Sequence, residues 1–210
     1  MFRLYSRRNA GSAAVEALLA EVGAAFELID VPRNADKSIP AWFKAINPRG
    51  EVPALVLPDN SLMTESAAIM IYLADLYPKA GLAPAASSPS RGRYLRWMTY
   101  LATAPYMSAL RMYFSEKYST DAGAAAGVGA KAVTDFNADF DIFAESLAAG
   151  PFVLNDAISA ADIYAAMLLS WSDDMQGLFV RHENLRVLYA GVAAHPKIAA
   201  VWTRNEMPLA

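Results

Sequence analysis

Ile46-Asn47-Pro48-Arg49-Gly50-Glu51-Val52-Pro53-Ala54-Leu55-Val56-Leu57, then Leu62-Met63-Thr64-Glu65-Ser66-Ala67-Ala68-Ile69, then Tyr72-Leu73-Ala74-Asp75-Leu76-Tyr77-Pro78: the reading of this chain turns on this stretch. Asn47-Pro48-Arg49-Gly50 is turn chemistry. Pro53 to Leu57 and Leu62-Met63 read as two short strands on either side of the turn signal Asp59-Asn60. A proline opening a strand offers no N–H to the ladder, so Pro53 belongs at the strand's first position. From Thr64 to Tyr77 the apolar residues Ile69, Ile71, Tyr72, Leu73 and Leu76 recur at helical spacing, and Pro78 stops the run.

Upstream, Phe2 to Ser6 reads as a strand. Ala13 to Val22 is a run of helix formers with Ser12 as expected N-cap and Gly23 as expected C-cap, and Phe26 to Val31 is a second strand. Strand, helix and strand in about thirty residues make a βαβ unit with parallel strands and a right-handed crossover. Pro32 to Pro40 is polar and reads as a loop, and Ala41 to Ala45 as a short helix. Downstream, Leu82 to Pro89 is rich in Ala, Pro and Ser, and the strand signal ends there. Five helical stretches follow: Ser90 to Lys117 with a kink or break at Pro105, Ala125 to Ala148, Ala160 to Met175, Glu183 to Ala194 and Pro196 to Arg204. The expected architecture is α+β: an N-terminal βαβ-ββα domain over residues 1–79, a linker over 80–89, and an all-α bundle over 90–210.

Bulk properties narrow the function. A net charge of −3 with no Lys/Arg cluster sets nucleic-acid binding aside. No stretch is apolar for long enough to span a bilayer, and Met1 to Arg8 has no signal-peptide core, so a cytoplasmic location is expected. With no cysteine there is no thiolate metal site and no cysteine nucleophile on the chain, and His182 and His195 lack metal-ligand spacing. No Gly-x-Ser-x-Gly elbow marks a hydrolase.

The block from Ile46 to Tyr77 resembles the cytosolic glutathione transferase superfamily, above all its bacterial beta-class-like members, and the resemblance extends over nearly the whole chain. It implies a thioredoxin-like N-terminal domain, glutathione as co-substrate and a homodimer. It implies a cis Val52–Pro53 bond, with the Val52 backbone pairing the cysteinyl unit of glutathione as an added strand. It places the γ-glutamyl carboxylate on Ser66 at the start of the third helix, where unpaired N–H groups and the helix dipole favour an anion, and the ammonium on Glu65. The glycyl carboxylate needs a cation, and Arg33, Lys37 and Arg49 lie in bordering loops.

Glutathione must react as thiolate. A free thiol has a pKa of about 8.5, and lowering it by about two units takes roughly 2.7 kcal/mol, close to the ~1.5–3 kcal/mol of one hydrogen bond to a charged group. Relatives place Tyr, Ser or Cys where that bond is made. With no Cys here, the candidates are Ser12, then Tyr5, then Ser6. Tyr106, with Tyr100, Tyr113 and Trp97, either lines the pocket of a hydrophobic electrophile or packs in the core, and Met98, Met107 and Met112 admit the same two roles. Ser159-Ala160-Ala161-Asp162 reads as a variant capping box, with Ile158 and Ile163 as the staple, and belongs to folding. The implied activity is conjugation of glutathione to hydrophobic electrophiles; a non-catalytic binding module of the same fold and a glutathione-dependent isomerase or dehalogenase are the alternatives.

Overall fold

A computed structural model describes every residue of the chain except Lys37, Ala148 and Ala210. It divides into two compact units: residues 1–80 together with 193–209, and residues 81–192.

In the first unit, β1 (Phe2–Ser6), α1 (Ser12–Glu21), β2 (Phe26–Asp30), α2 (Ala41–Ile46), β3 (Ala54–Val56), β4 (Leu62–Met63) and α3 (Ser66–Leu76) follow the predicted βαβ-ββα order. The sheet order is β2-β1-β3-β4, with β1 parallel to β2 and antiparallel to β3. The period of two divides the strands between two faces. Tyr5, Ala54 and Val56 form a core cluster with Val31 and with Phe43 of α2, and Val52 packs against it. Leu4 and Leu55, paired across the strands, point to the opposite face and are fully buried. The helices α1 and α3 pack against each other.

Two expectations are corrected here. Gly11, not Ser12, is the N-cap of α1, because the Ser12 side chain turns back onto the loop before it instead of capping the helix. By chain order the last helix was expected with the bundle of residues 90–210; by packing, α10 (Pro196–Arg204) lies against α1. The carboxylate of Glu16, buried on α1, takes both the Nε (2.6 Å) and a terminal nitrogen of Arg204, and Asn205 Nδ2 donates to it at 3.2 Å. A buried charge is tolerated when it is paired and hydrogen-bonded in this way.

The second unit holds α4 (Arg91–Thr103), α5 (Pro105–Tyr113), α6 (Ala125–Glu145), α7 (Ala160–Leu169), α8 (Met175–Arg181) and α9 (Glu183–Ala193). Pro105 divides the first predicted stretch instead of kinking it, and takes the N1 position of α5. The stretch predicted from Ala160 to Met175 stops at Leu169, and Met175 opens a separate helix capped by the Asp174 side chain, which accepts from the Gly177 N–H at 2.8 Å. Every residue of α7 is buried. Its predicted capping box is present. The Asp162 carboxylate accepts from the Ser159 N–H (2.8 Å), the Ser159 hydroxyl (2.6 Å) and the Val153 N–H (2.7 Å). Leu82, at the start of the predicted linker, is buried, and its carbonyl accepts from the Ala160 N–H at 2.8 Å.

Candidate functional site

Val52, Pro53, Glu65 and Ser66 flank the start of β3 and of α3, which the antiparallel β3–β4 pairing places at one end of the sheet. The Val52–Pro53 peptide bond is cis, as the resemblance implies. Val52 is half-buried, and among the described residues neither its N–H nor its C=O enters a hydrogen bond. Such an unpaired pair of backbone groups at a strand end is what an added peptide strand requires. Asn47 supports the turn that leads to it, its Nδ2 donating to the Glu51 carbonyl at 2.8 Å.

The N-terminus of α3 faces the same end of the sheet. No side chain caps it, and its first turn carries no acid. Ser66 is the first helical residue and is buried. Glu65, the N-cap, is held at φ 64°, a conformation that an ordinary side chain adopts only at a cost of about 1–3 kcal/mol. An uncapped helix end carries a partial positive charge that suits an anion, and the acid beside it suits a cation.

The cation candidates separate. Arg33 lies in the loop after β2 and is exposed. Arg49 is already engaged by the Glu51 carboxylate at 2.8 Å, and that bond holds its pKa above the usual value. Lys37 lies outside the described residues.

The hydroxyl candidates separate too. Ser12 Oγ is fully buried; it accepts from Ser6 Oγ at 2.9 Å and from the Arg7 N–H at 3.2 Å, and donates to the Arg7 carbonyl at 3.1 Å. That is a loop-closing role for both Ser6 and Ser12. Tyr5 lies on the other face of the sheet, its ring 5.6 Å from that of Phe43 and 6.3 Å from that of Trp42, in the same cluster against which Val52 packs. Among the described residues no group hydrogen-bonds its hydroxyl. Tyr106 belongs to the second unit, edge-on to Trp171 at 5.2 Å and 6.2 Å from the ring of Tyr164. On α4, Trp97 is core, and the Tyr100 hydroxyl donates to the Asp139 carbonyl at 3.1 Å. Burial, and then the Asp139 charge, push the Tyr100 hydroxyl up to about 12. Tyr113 donates to the Trp171 carbonyl at 2.7 Å.

Sequence reasoning passed over Arg7. Its Nε donates to the Val31 carbonyl at 3.1 Å, and among the described residues one terminal nitrogen is buried without a hydrogen-bond partner. The signal was present as a basic residue one position past a strand, but a dipeptide Arg7-Arg8 on its own reads as solvated charge.

The four-stranded mixed sheet with α1 and α3 packed together is a thioredoxin-like domain. The comparisons agree. The family model described as glutathione S-transferase, N-terminal domain, matches residues 12–76. Glutathione S-transferase GstA of Escherichia coli O157:H7 is 38% identical over 107 residues, 48% of this chain and 51% of that protein, so the match spans about half the length of that relative. The crystal structure of a glutathione transferase homolog from Sulfitobacter with bound glutathione superposes with a TM-score of 0.88 at 25% identity, covering 99% of each chain. A sphingomonad glutathione S-transferase complexed with glutathione gives a TM-score of 0.81 at 26% identity, over 98% of this chain and 100% of that one. Residues 12–76 thus match the glutathione S-transferase N-terminal domain, and the chain as a whole shares the fold of solved glutathione transferases. Among the described residues no helix is long and apolar enough to cross a membrane.

Proposed function

We propose that the chain is a glutathione transferase that joins the glutathione sulfur to hydrophobic electrophiles, binding glutathione within residues 1–79 and working as a cytoplasmic homodimer. One observation carries the reading: the unpaired Val52 backbone lies at the same sheet end as the uncapped N-terminus of α3. Val52 pairs the cysteinyl unit; Ser66 and the first turn of α3 take the γ-glutamyl carboxylate; Glu65 takes the ammonium; Arg33 or Lys37 takes the glycyl carboxylate, since Arg49 is held by Glu51.

The thiolate falls to Tyr5. A cysteinyl unit paired with Val52 brings its side chain to the cluster that contains Tyr5, and the hydroxyls of Ser6 and Ser12 are spent on the loop. The thiol releases its proton to solvent, the thiolate accepts a hydrogen bond from the phenol, a carbon–sulfur bond forms as the bond to the leaving group breaks, the leaving group departs with its electron pair, and the phenol keeps its own proton throughout. Holding the two reactants side by side supplies the remainder of the rate.

The test is turnover of a chromogenic aryl halide with glutathione. Tyr5→Phe is expected to raise the pKa of the bound thiol by about one to two units and to lower kcat/KM at neutral pH about 10- to 100-fold, with KM for glutathione within about twofold. A folded wild-type protein that neither turns over nor binds glutathione removes the reading. Glutathione binding without turnover across a broad electrophile panel leaves a binding module.

A further inference from the structure

The sheet order sets out the candidate site as a series of positions. Reading β4-β3-β1-β2, the open end of α3 and Val52 come first, Tyr5 at the end of β1 next, and the end of β2 last. Neighbouring strands are about 4.8 Å apart, so the end of β2 lies one strand spacing beyond the position assigned to the sulfur. Two arginines meet there. Arg7 leaves β1 and lays its guanidinium across to the Val31 carbonyl just past β2, and Arg33 follows two residues after Val31. Their positive charges oppose each other: burial, and then Arg33, depress the pKa of Arg7. Of the guanidinium's donors, Nε is satisfied and one terminal nitrogen is buried with no acceptor among the described residues. A buried donor without a partner is rare in folded proteins, and a cation in that state beside a second cation rarer still. Guanidinium matches a carboxylate in a planar, two-point contact, and a single carboxylate would satisfy the orphan nitrogen and relieve the repulsion at once.

We infer that Arg7, backed by Arg33, is a carboxylate-binding residue that gives the enzyme a preference for electrophiles bearing an acidic group. The inference rests on the transferase reading for the identity of the site and goes beyond it in naming the acceptor's chemistry. The same carboxylate chemistry has a second source, the glycyl end of glutathione, and the experiment separates the two.

Two aryl halides matched in reactivity, one carrying a carboxylate and the other its methyl ester, are assayed with wild type, Arg7→Gln, Arg7→Lys and Arg33→Gln. Glutathione and its glycyl monoethyl ester serve in turn as the thiol. Arg7→Gln is expected to lower the ratio of kcat/KM for acid over ester at least tenfold, chiefly through KM of the acid; Arg7→Lys is expected to recover part of it and Arg33→Gln to lose about threefold. If the loss instead follows glutathione and vanishes with its monoethyl ester, the bound carboxylate is the glycyl one. A ratio within twofold of wild type with both thiols overturns the inference. If Arg7→Gln does not fold, the exposed Arg33→Gln carries the comparison, and an unchanged ratio there overturns it as well. If wild type turns over neither halide, the transferase reading fails separately. Calorimetric titration of wild type and Arg7→Gln with the aryl carboxylate then decides, equal affinities counting against the site.

Discussion

Of the helices that start beside a serine, α7 and α3 have N-termini finished in opposite ways. At α7 the end is sealed: Asp162 takes three hydrogen bonds inside the second unit, two from Ser159 and one from Val153. Burial pushes its carboxyl up to about 6 against the pull of those bonds, a measure of how dry the place is. At α3 the end is left open: no side-chain cap, no acid in the first turn, and a residue with positive φ where a relaxed cap would sit. The same orphan N–H groups exist at both ends. A helix end closed by its own side chains is finished in the fold; one kept open beside an unpaired strand edge still has donors to offer, and the proposed function gives them to glutathione.

The largest effect is expected where the seal is broken. Asp162→Ala leaves three donors buried without their acceptor, and at about 1 kcal/mol or more apiece the loss is roughly 3–5 kcal/mol, well above the ~1 kcal/mol expected of a cap alone. Thermal unfolding should fall by about 6–15 °C, while the folded fraction keeps its KM for glutathione. A small loss of stability, or a large change in KM, would break the contrast drawn between the two ends.

The converse experiment seals the open end. Ser66→Asp places a carboxylate at the first position of α3, where the helix dipole favours it by about 0.3–1 kcal/mol. The substitution should leave thermal stability unchanged or slightly raised. It should also weaken glutathione binding at least about 50-fold, by roughly 2.3 kcal/mol, because the protein's own carboxylate takes the ligand's place. Equilibrium titration with glutathione, alongside a melting curve, checks both halves; undiminished affinity would show that α3 is not where the ligand's acidic end sits.

How far these ends were legible in the sequence follows from how local each is. The capping box is spelled within four residues, and its hydrogen bonds formed as read; only the third bond, from Val153, needed tertiary structure, and with it the true cost of removing Asp162. The parallel pairing of β1 and β2 followed from the βαβ pattern, and the cis bond at Val52–Pro53 from the resemblance carried by the block around Pro53. Ser12 misled as an N-cap because its residue type suits that position, whereas the chain enters α1 one residue earlier and turns the hydroxyl back to Arg7. Long-range pairs were illegible for the same reason. Nothing in the neighbourhood of Glu16 or Arg204 says that 188 residues of chain bring them together in a buried ion pair. Nor does Arg7 announce that its guanidinium crosses to β2 and stays short of a partner.

The smallest effect separates strain from charge at the open end. Glu65 sits at φ 64°, ψ 101°, where glycine is at ease and glutamate is not. Glu65→Gly relieves that strain but adds freedom to the unfolded chain, so the net gain in stability should be only about 0.5 kcal/mol. If the strained backbone is tolerated because the carboxylate receives the ammonium of glutathione, the same variant should raise KM for glutathione about three- to tenfold, with kcat nearly unchanged, since the contact is the same in ground and transition states. Glu65→Gln keeps the strain and removes the charge, so it should match glycine in KM and wild type in stability. Should the glutamine variant instead bind as wild type does, the acid would have no part in recognition, and the open end of α3 would rest on Ser66 and the helix dipole alone.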